Sequence, residues 1–308
     1  MIGVLVTVPQ IPVSLSHRFA KAAGEEHAMR TILLTGLLSF AAVTSALAEK
    51  PAPLLALLIT GGCCHDYTRQ KVILTEGLSA RANVQWTIVQ EGGSSTSHKV
   101  SLHEKQDWAK GYDIVVHNEC FAGTTDLAFI HRITDAHKNG IPGIVIHCAM
   151  HCYRGKTDQW FKFCGVRSHS HGPQLEIKVD LVKPEHPIVK GLPAHWTSVP
   201  TEMYYISEVY DATTPLATGV QSNAPTKSHA CVWISQFGKA RVFGTTLGHH
   251  NKEMEEARFL DTVARGLLWA CGKLGDDGRP LPGYEGTGVK PAAKTEGPQP
   301  TPAGPKPK

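Results

Sequence analysis

The chain has 308 residues, 42% of them hydrophobic and 19% charged, which is enough apolar material for a folded core and excludes wholesale disorder. Its 31 Lys+Arg against 27 Asp+Glu leave a net charge of +4 with no basic block, so the composition argues against a nucleic-acid partner. Seventeen histidines and eight cysteines are the unusual entries, and both residue types ligate metals or take part in chemistry near neutral pH.

Thr31 to Ala48 is an apolar run that follows Met29-Arg30 and ends Ser45-Ala46-Leu47-Ala48. A positive charge, an apolar stretch and a small-x-small site form a secretory signal, with cleavage expected after Ala48 and a periplasmic or secreted product. The run is short and rich in Ser, Thr and Ala, so no stable membrane span is expected once it is removed. Residues 1–28 read as an over-extended start or an extended n-region, with Met29 the expected first residue and a genuine N-terminal anchor the alternative.

Leu54 to Thr60 is continuously apolar and ends in Gly61-Gly62, as a strand buried on both faces does. Arg69 to Arg81 carries Val72, Ile73, Leu74 and Leu78 at helical spacing. Val84 to Val89 predicts a second strand and Asp113 to His117 a third. A helix follows over Asp126 to Lys138, then a fourth strand over Gly143 to His147. This βαβαβ rhythm predicts a doubly wound, mostly parallel α/β sheet flanked by helices. Beyond it, Leu175 to Val182, Leu216 to Val220, Ala230 to Ser235 and Ala240 to Thr245 predict a mixed β extension. Met254 to Leu274 closes the unit as a helix with Phe259, Val263, Leu267 and Leu268 on one face. The folded domain is expected over 51–274. Residues 275–308 hold eight of the 20 prolines and few large apolar residues, and are expected to form a disordered tail.

In such a sheet the C-terminal strand ends share one edge, and the loops there build the site. Those loops carry Gly61-Gly62-Cys63-Cys64-His65-Asp66-Tyr67, then His117-Asn118-Glu119-Cys120, then His147-Cys148-Ala149-Met150-His151. Every first-half segment that feeds the edge brings a histidine.

At these loops the sequence resembles the trehalose-utilisation (ThuA-like) family, whose fold is related to class I glutamine amidotransferases and is flavodoxin-like in outline. The carriers are T-G-G-x-x-H-D (Thr60 to Asp66), G-I-V-I-H (Gly143 to His147), H-P-I-V-K-G-L (His186 to Leu192), T-E-M-Y (Thr201 to Tyr204) and G-K-A-R-V-F-G-T-T-L-G-H (Gly238 to His249). The resemblance implies a role in carbohydrate catabolism, with a small-molecule carbohydrate as partner. Amidotransferase relatives place a nucleophilic Cys in the turn after the strand. Here His147 takes that place and Cys148 follows it, which argues against a glutaminase.

Two chemistries use the same residues. A divalent metal, Zn²⁺ or another first-row ion, is the candidate cofactor, with His65, His147, His171 and His249 as ligands and Glu202 beside them. Without a metal, His147, His151, Glu119 and Glu202 are the candidate catalytic residues for acid–base work on a sugar or keto-sugar. Asp66, Tyr67, Tyr204 and His250 are candidate substrate contacts, and Asp66 reads equally as the cap of the following helix. Glu119, if buried, needs a partner such as His117 or His151. Isolated histidines such as His98, His103 and His131 read as ordinary packed or surface side chains, and Arg69 and Arg154 as surface cations. No nucleotide cofactor is expected, because no G-x-G-x-x-G or Walker pattern follows Gly61-Gly62. A rival reading makes Cys148 a nucleophile for a hydrolase or amidase, and another makes the whole a non-catalytic sugar-binding or envelope module. Cysteine pairing stays open, except that the neighbours Cys63 and Cys64 are not expected to bond to each other. The oligomeric state is likewise undetermined.

Overall fold

A computed structural model describes residues 50–224 and 226–286, together with the backbone of 294–296. The expected signal segment therefore lies outside the described residues.

Ten strands form one sheet. Its parallel half runs β2 (Val84–Glu91), β1 (Leu54–Gly62), β3 (Ile114–Cys120), β4 (Gly143–Ile146), β11 (Ala240–Thr245), with the three-residue β12 (Lys294–Glu296) added beyond β2. The antiparallel continuation is β10 (Ser228–Phe237), β9 (Thr213–Gln221), β6 (Ile177–Leu181) and β7 (His195–Thr197). This is the doubly wound α/β sheet with a mixed extension that the hydrophobic pattern predicts. The parallel strands follow the 2-1-3-4-5 order of flavodoxin-like sheets, whose direction of winding reverses between β1 and β3.

β1 is apolar throughout because helices cover both of its faces. Ala56 and Leu58 pack with Leu74 and Leu78 of α1 (Tyr67–Ser79) and Val263 and Leu267 of α5 (Ala257–Ala270). Leu57 and Ile59 enter the opposite core with Phe129, Ile130 and Ile133 of α2 (Leu127–Lys138) and Trp160 and Phe163 of α3 (Gln159–Cys164). The helix predicted over Met254 to Leu274 divides into a short α4 (Asn251–Met254) and α5, and Phe259, Val263, Leu267 and Leu268 form its buried face as expected.

The β1 end needs glycine. Gly61 and Gly62 have φ of +130° and +95°, and a Cβ would sit 2.0 Å from the Glu91 carbonyl oxygen at the first and 2.5 Å from that of Cys120 at the second. Both flanking backbones thus press against β1 where it delivers Cys63, Cys64 and His65 to the rim.

Two parts depart from the sequence reading. Packed chain continues past Leu274: Leu281 N–H donates to the Lys273 carbonyl, Asn83 N–H donates to that of Tyr284, and Ala82 bridges to Glu285. Turns within 275–286, these bonds back to the domain and the packing of Tyr284 against the core order this stretch. The other departure is a separate two-stranded sheet, β5 (Val166–Leu175) with β8 (Thr201–Val209). β5 reads VRSHSHGPQL, with Gly, Pro and polar residues that obscure any strand pattern, and its register shifts at three places. Its pairing sets His171 opposite Tyr204 and Gln174 opposite Glu202, at the edge where the parallel strands end.

Candidate metal centre and its cleft

Three histidines from distant parts of the chain converge. His65 follows β1, His147 follows β4 and His249 follows β11, and one ring nitrogen from each lies within 4.8 Å of the other two. His147 has φ +49°, a left-handed conformation at the strand-to-turn junction that is unusual for a residue with a side chain. Its Nδ1 donates to the Thr246 carbonyl, and His65 Nδ1 donates to the His249 carbonyl at 3.2 Å. Each ring thereby keeps its proton on Nδ1 and turns an Nε2 lone pair outward, as carbonyl-backed metal-ligating histidines do. The Gln70 amide donates to the same His249 carbonyl at 3.1 Å.

The fourth member is Glu202 of β8. Its Oε2 lies 3.2 Å from His249 Nδ1, 3.6 Å from His147 Nε2 and 3.5 Å from His171 Nδ1. Burial raises the carboxyl's pKa, but the neighbouring His147 and His249 rings outweigh it and hold Glu202 well below the usual carboxylate range. Burial, reinforced by the neighbouring rings, pushes His65 down to about 2, and His147 is also lowered, by burial first. Neutral imidazoles beside an ionised carboxylate are the protonation states a divalent cation requires of its ligands. His249 Nε2 meets the Gln174 side-chain amide at 2.9 Å. An amide can accept or donate, so Gln174 can hold either tautomer of that ring.

The expected ligand His171 does not join the three rings. It is exposed and reaches only the Glu202 oxygen that His147 and His249 share, with Nδ1 also donating to the Gly172 carbonyl at 3.0 Å. The register shift between His171 and Gln174 in β5 turns Gln174, and not His171, towards His249.

The cluster opens on a cleft of about 580 Å³ lined by His65, His151, Arg154, His171, Glu202 and Tyr204, among others. That volume lies within the roughly 300–1,000 Å³ of small-molecule sites. Tyr204 is buried and wedged edge-on against His147 and His151, with ring centroids 4.6 and 3.9 Å away. Burial pushes its phenol well above the ordinary value, so the hydroxyl keeps its proton. His151 Nε2 lies 2.8 Å from Ser168 Oγ, whose own proton is directed to the carbonyls of Tyr205 and Ser170. His151 therefore donates through Nε2 and keeps its lone pair on Nδ1. Burial, together with the positive charge of Arg154, pushes this ring down to about 2.

Several expected site residues lie elsewhere. Glu119 is fully buried in the core beneath the edge, where Oε1 accepts from His117 Nδ1 at 2.8 Å and from the Tyr153 hydroxyl at 3.2 Å. Residues 117 and 119 share a face of β3, and that face is core, so Glu119 has the His117 partner its burial demands and no opening to the cleft. Asp66 is the cap of α1: Oδ1 accepts from Arg69 N–H at 3.1 Å and Oδ2 from the Asn251 amide at 2.9 Å. Tyr67 is buried behind His65, its ring edge-on at 5.6 Å, and is not among the residues that line the cleft. His250 packs edge-on against His249 at 4.2 Å and is likewise outside the lining. Arg69 pairs with Glu255 on the surface as expected, whereas Arg154 faces the cleft instead of open solvent.

The cysteines also differ from expectation. Cys63 and Cys64 are bonded to each other, and Cys120 is bonded to Cys148. In this bonded form Cys148 presents no thiolate to act as a nucleophile. The remaining thiols, Cys152, Cys164, Cys231 and Cys271, have pKa values raised by burial, the last two to about 12. Sequence reasoning also passed over Gln174, Ser168 and Glu253. The first two belong to the unpredicted β5, and Glu253 reads locally as an ordinary acidic residue of a helix's first turn.

No helix among the described residues is long and apolar enough to cross a membrane. No curated protein matches the sequence. Among solved structures, a ThuA-like protein of Parabacteroides merdae is 21% identical with a TM-score of 0.60, the match covering 77% of this chain and 98% of that one. A ThuA-like protein of Bacteroides uniformis is 18% identical with a TM-score of 0.56, covering 74% and 96%. At these identities the likeness establishes a shared fold. The sequence model of the ThuA family, described as trehalose utilisation, matches residues 56–270, which hold the two-stranded sheet, the large sheet apart from β12 and the start of β1, and all three clustered histidines. The chain belongs to the ThuA family, and that membership suggests a role in trehalose utilisation.

Proposed function

We propose that the cleft is the active site of an exported enzyme of carbohydrate catabolism that acts on a sugar or keto-sugar derivative with the help of a divalent first-row metal ion. The observation that carries this reading is the convergence of His65, His147 and His249 within 4.8 Å, two of them with Nδ1 committed to a backbone carbonyl, beside an ionised Glu202. Three imidazoles and a carboxylate fit Zn²⁺ or a similar ion. When bound, such an ion acts as a Lewis acid that polarises a carbonyl or hydroxyl oxygen.

The chain's own groups account for the rest. His151 stays neutral, so its free Nδ1 accepts a hydrogen bond from a sugar hydroxyl and does not act as a proton store. Tyr204 donates its retained hydroxyl proton, and Arg154 places a fixed cation on the cleft wall for an oxygen that gains negative charge. Glu202, held ionised, supplies a fixed negative charge that accepts a hydrogen bond from a substrate hydroxyl or completes the ligand set of the metal. Export is supported by the apolar run before Glu49 and by two disulfides at the rim, which persist in an oxidising compartment.

Elemental analysis of purified protein and product analysis with oxidised and unoxidised mono- and disaccharides test this together. One equivalent of a first-row metal, lost with turnover in His147→Ala, is the expected result. A metal-free preparation with full turnover would remove the metal, and saturable sugar binding without any product would reduce the protein to a binding module. Mature protein starting at Glu49 in the periplasmic fraction is the expected outcome for export.

A further inference from the structure

The second cluster in the cleft is made of sulfur. Cys63 and Cys64 follow β1, Cys120 ends β3 and Cys148 lies in the turn after β4, and all four line the same cleft. Although the four are bonded in two pairs, Cys63 Sγ stands only 3.7 Å from Cys120 Sγ. The Sγ atoms of Cys63, Cys64 and Cys120 all lie within 4.8 Å of one another, and Cys148 Sγ is bonded to the last of them. Tyr67 packs beneath the group. The cluster sits between the β1 and β3 ends, where the winding of the sheet reverses and open α/β sheets hold their ligands.

Two physical arguments separate this cluster from a structural staple. A bond between sequence neighbours encloses no loop, so the Cys63–Cys64 pair has no chain entropy to remove from the unfolded state. It is also the accessible pair: Cys64 is exposed and Cys63 half-buried, and exposed disulfides are the readily reduced ones. The spacing points to what the reduced form would hold. Four thiolates about 2.3 Å from a tetrahedral zinc stand about 3.8 Å from each other. The Cys63–Cys120 separation already matches one edge of that tetrahedron.

We propose that Cys63, Cys64, Cys120 and Cys148 form a redox-gated site for a divalent d¹⁰ cation of the Zn²⁺ class, closed as two disulfides and open as four thiols. Each disulfide takes two electrons and two protons from one dithiol, which leaves as its own disulfide, so two dithiols give four cysteine thiols. The cation then binds as the thiol protons are released to solvent. In the reverse exchange two molecules of the oxidised dithiol each take two electrons from one thiolate pair and two protons from solvent, the two cysteine disulfides re-form and the cation is released. The site is separate from the imidazole cluster and stands whether or not that cluster holds a metal.

Cobalt(II) tests this, because thiolate ligands give Co²⁺ an intense near-ultraviolet charge-transfer band that imidazole and carboxylate ligands do not. The full chain is titrated with Co²⁺ before and after reduction by a trialkylphosphine, which takes an oxygen from water and leaves no competing thiol. We expect no such band in the oxidised protein. After reduction the band should appear with one additional cobalt per chain, and Zn²⁺ should abolish it. The Cys63→Ser/Cys64→Ser variant, which loses no loop closure, should lack the band. Cys120→Ser with Cys148→Ser should lack it as well if it folds. His147→Ala should keep the band even if it loses cobalt from the imidazole cluster, so failure of the metal reading there is distinguishable from failure here. Reduced wild-type protein without the band, or an undiminished band in Cys63→Ser/Cys64→Ser, would overturn the proposal.

Discussion

Glu253 holds His249 from behind: one oxygen of its buried carboxylate accepts the His249 backbone N–H at 2.9 Å. The same oxygen accepts from Gly248 N–H at 2.9 Å and from the Thr201 hydroxyl at 2.7 Å, tying the loop after β11 to the first residue of β8. Through this one atom the strand that carries Glu202 and the loop that carries His249 keep their spacing. Glu253→Ala leaves two N–H groups and a hydroxyl without an acceptor, so a loss of about 3 kcal/mol is expected, read by denaturant unfolding. Metal affinity should fall roughly 10–100-fold, as for other groups that orient a ligand. Because burial raises the Glu253 pKa, the neutral isostere Glu253→Gln should retain most of both.

Glu202 has the opposite character, since its charge is favoured by the histidines around it. Glu202→Gln keeps the shape and removes the charge. Chelator competition should show cation affinity lowered by about tenfold or more, with far-ultraviolet circular dichroism unchanged. Equal affinity in the variant would place the cation without the carboxylate.

His103 makes a prediction about pH. Its ring is fully buried against Trp108 at 4.3 Å, and neither nitrogen has a hydrogen-bond partner. Burial, with His117 and His137 nearby, lowers its pKa well below the ordinary value. As pH falls below about 6.5 the unfolded chain takes up the proton before the folded one, so stability is full above that pH and is lost as pH drops. His103→Phe, which keeps the ring contacts, should raise Tm at pH 5 relative to wild type and flatten Tm against pH between 7 and 5. Some slope should persist, because His137 is lowered in the same way.

Gly62→Ala tests the close approach at the β1 end. The added Cβ would meet the Cys120 carbonyl oxygen at 2.5 Å with φ at +95°, and the neighbour is backbone that cannot swing aside. A cost of about 2–3 kcal/mol is expected, which for a domain of this size lowers Tm by roughly 4–12 °C. Scanning calorimetry reads it. A variant as stable as wild type would mean that β1 and β3 can separate at no cost.

The buried strands and the helix faces were legible because each is a local pattern. LLALLIT reads as a strand buried on both faces and is so after its exposed Leu55, and Phe259, Val263, Leu267 and Leu268 fall on one side of a 3.6-residue turn. The rim histidines were legible for a related reason: a doubly wound sheet sends every parallel strand end to one edge, so His65 and His147 were bound to share a neighbourhood. β5 and β8 were harder. Their strand character comes from pairing with each other across a long connection, with β5 carrying Gly172 and Pro173 against the local propensity.

What the sequence determined by itself is the class of fold, the edge that holds the chemistry and the residue types gathered there, all properties of hydrophobic period and strand order. Which side chain faces which way was decided only by tertiary structure. Strand parity turns Glu119 inward to His117, and the shifted register of β5 exchanges His171 for Gln174 at His249. The converging ends of β1, β3 and β4 bring four cysteines into contact that the chain holds up to 85 positions apart. A one-residue step along a strand reverses a side chain, and no local pattern of polar residues records that step.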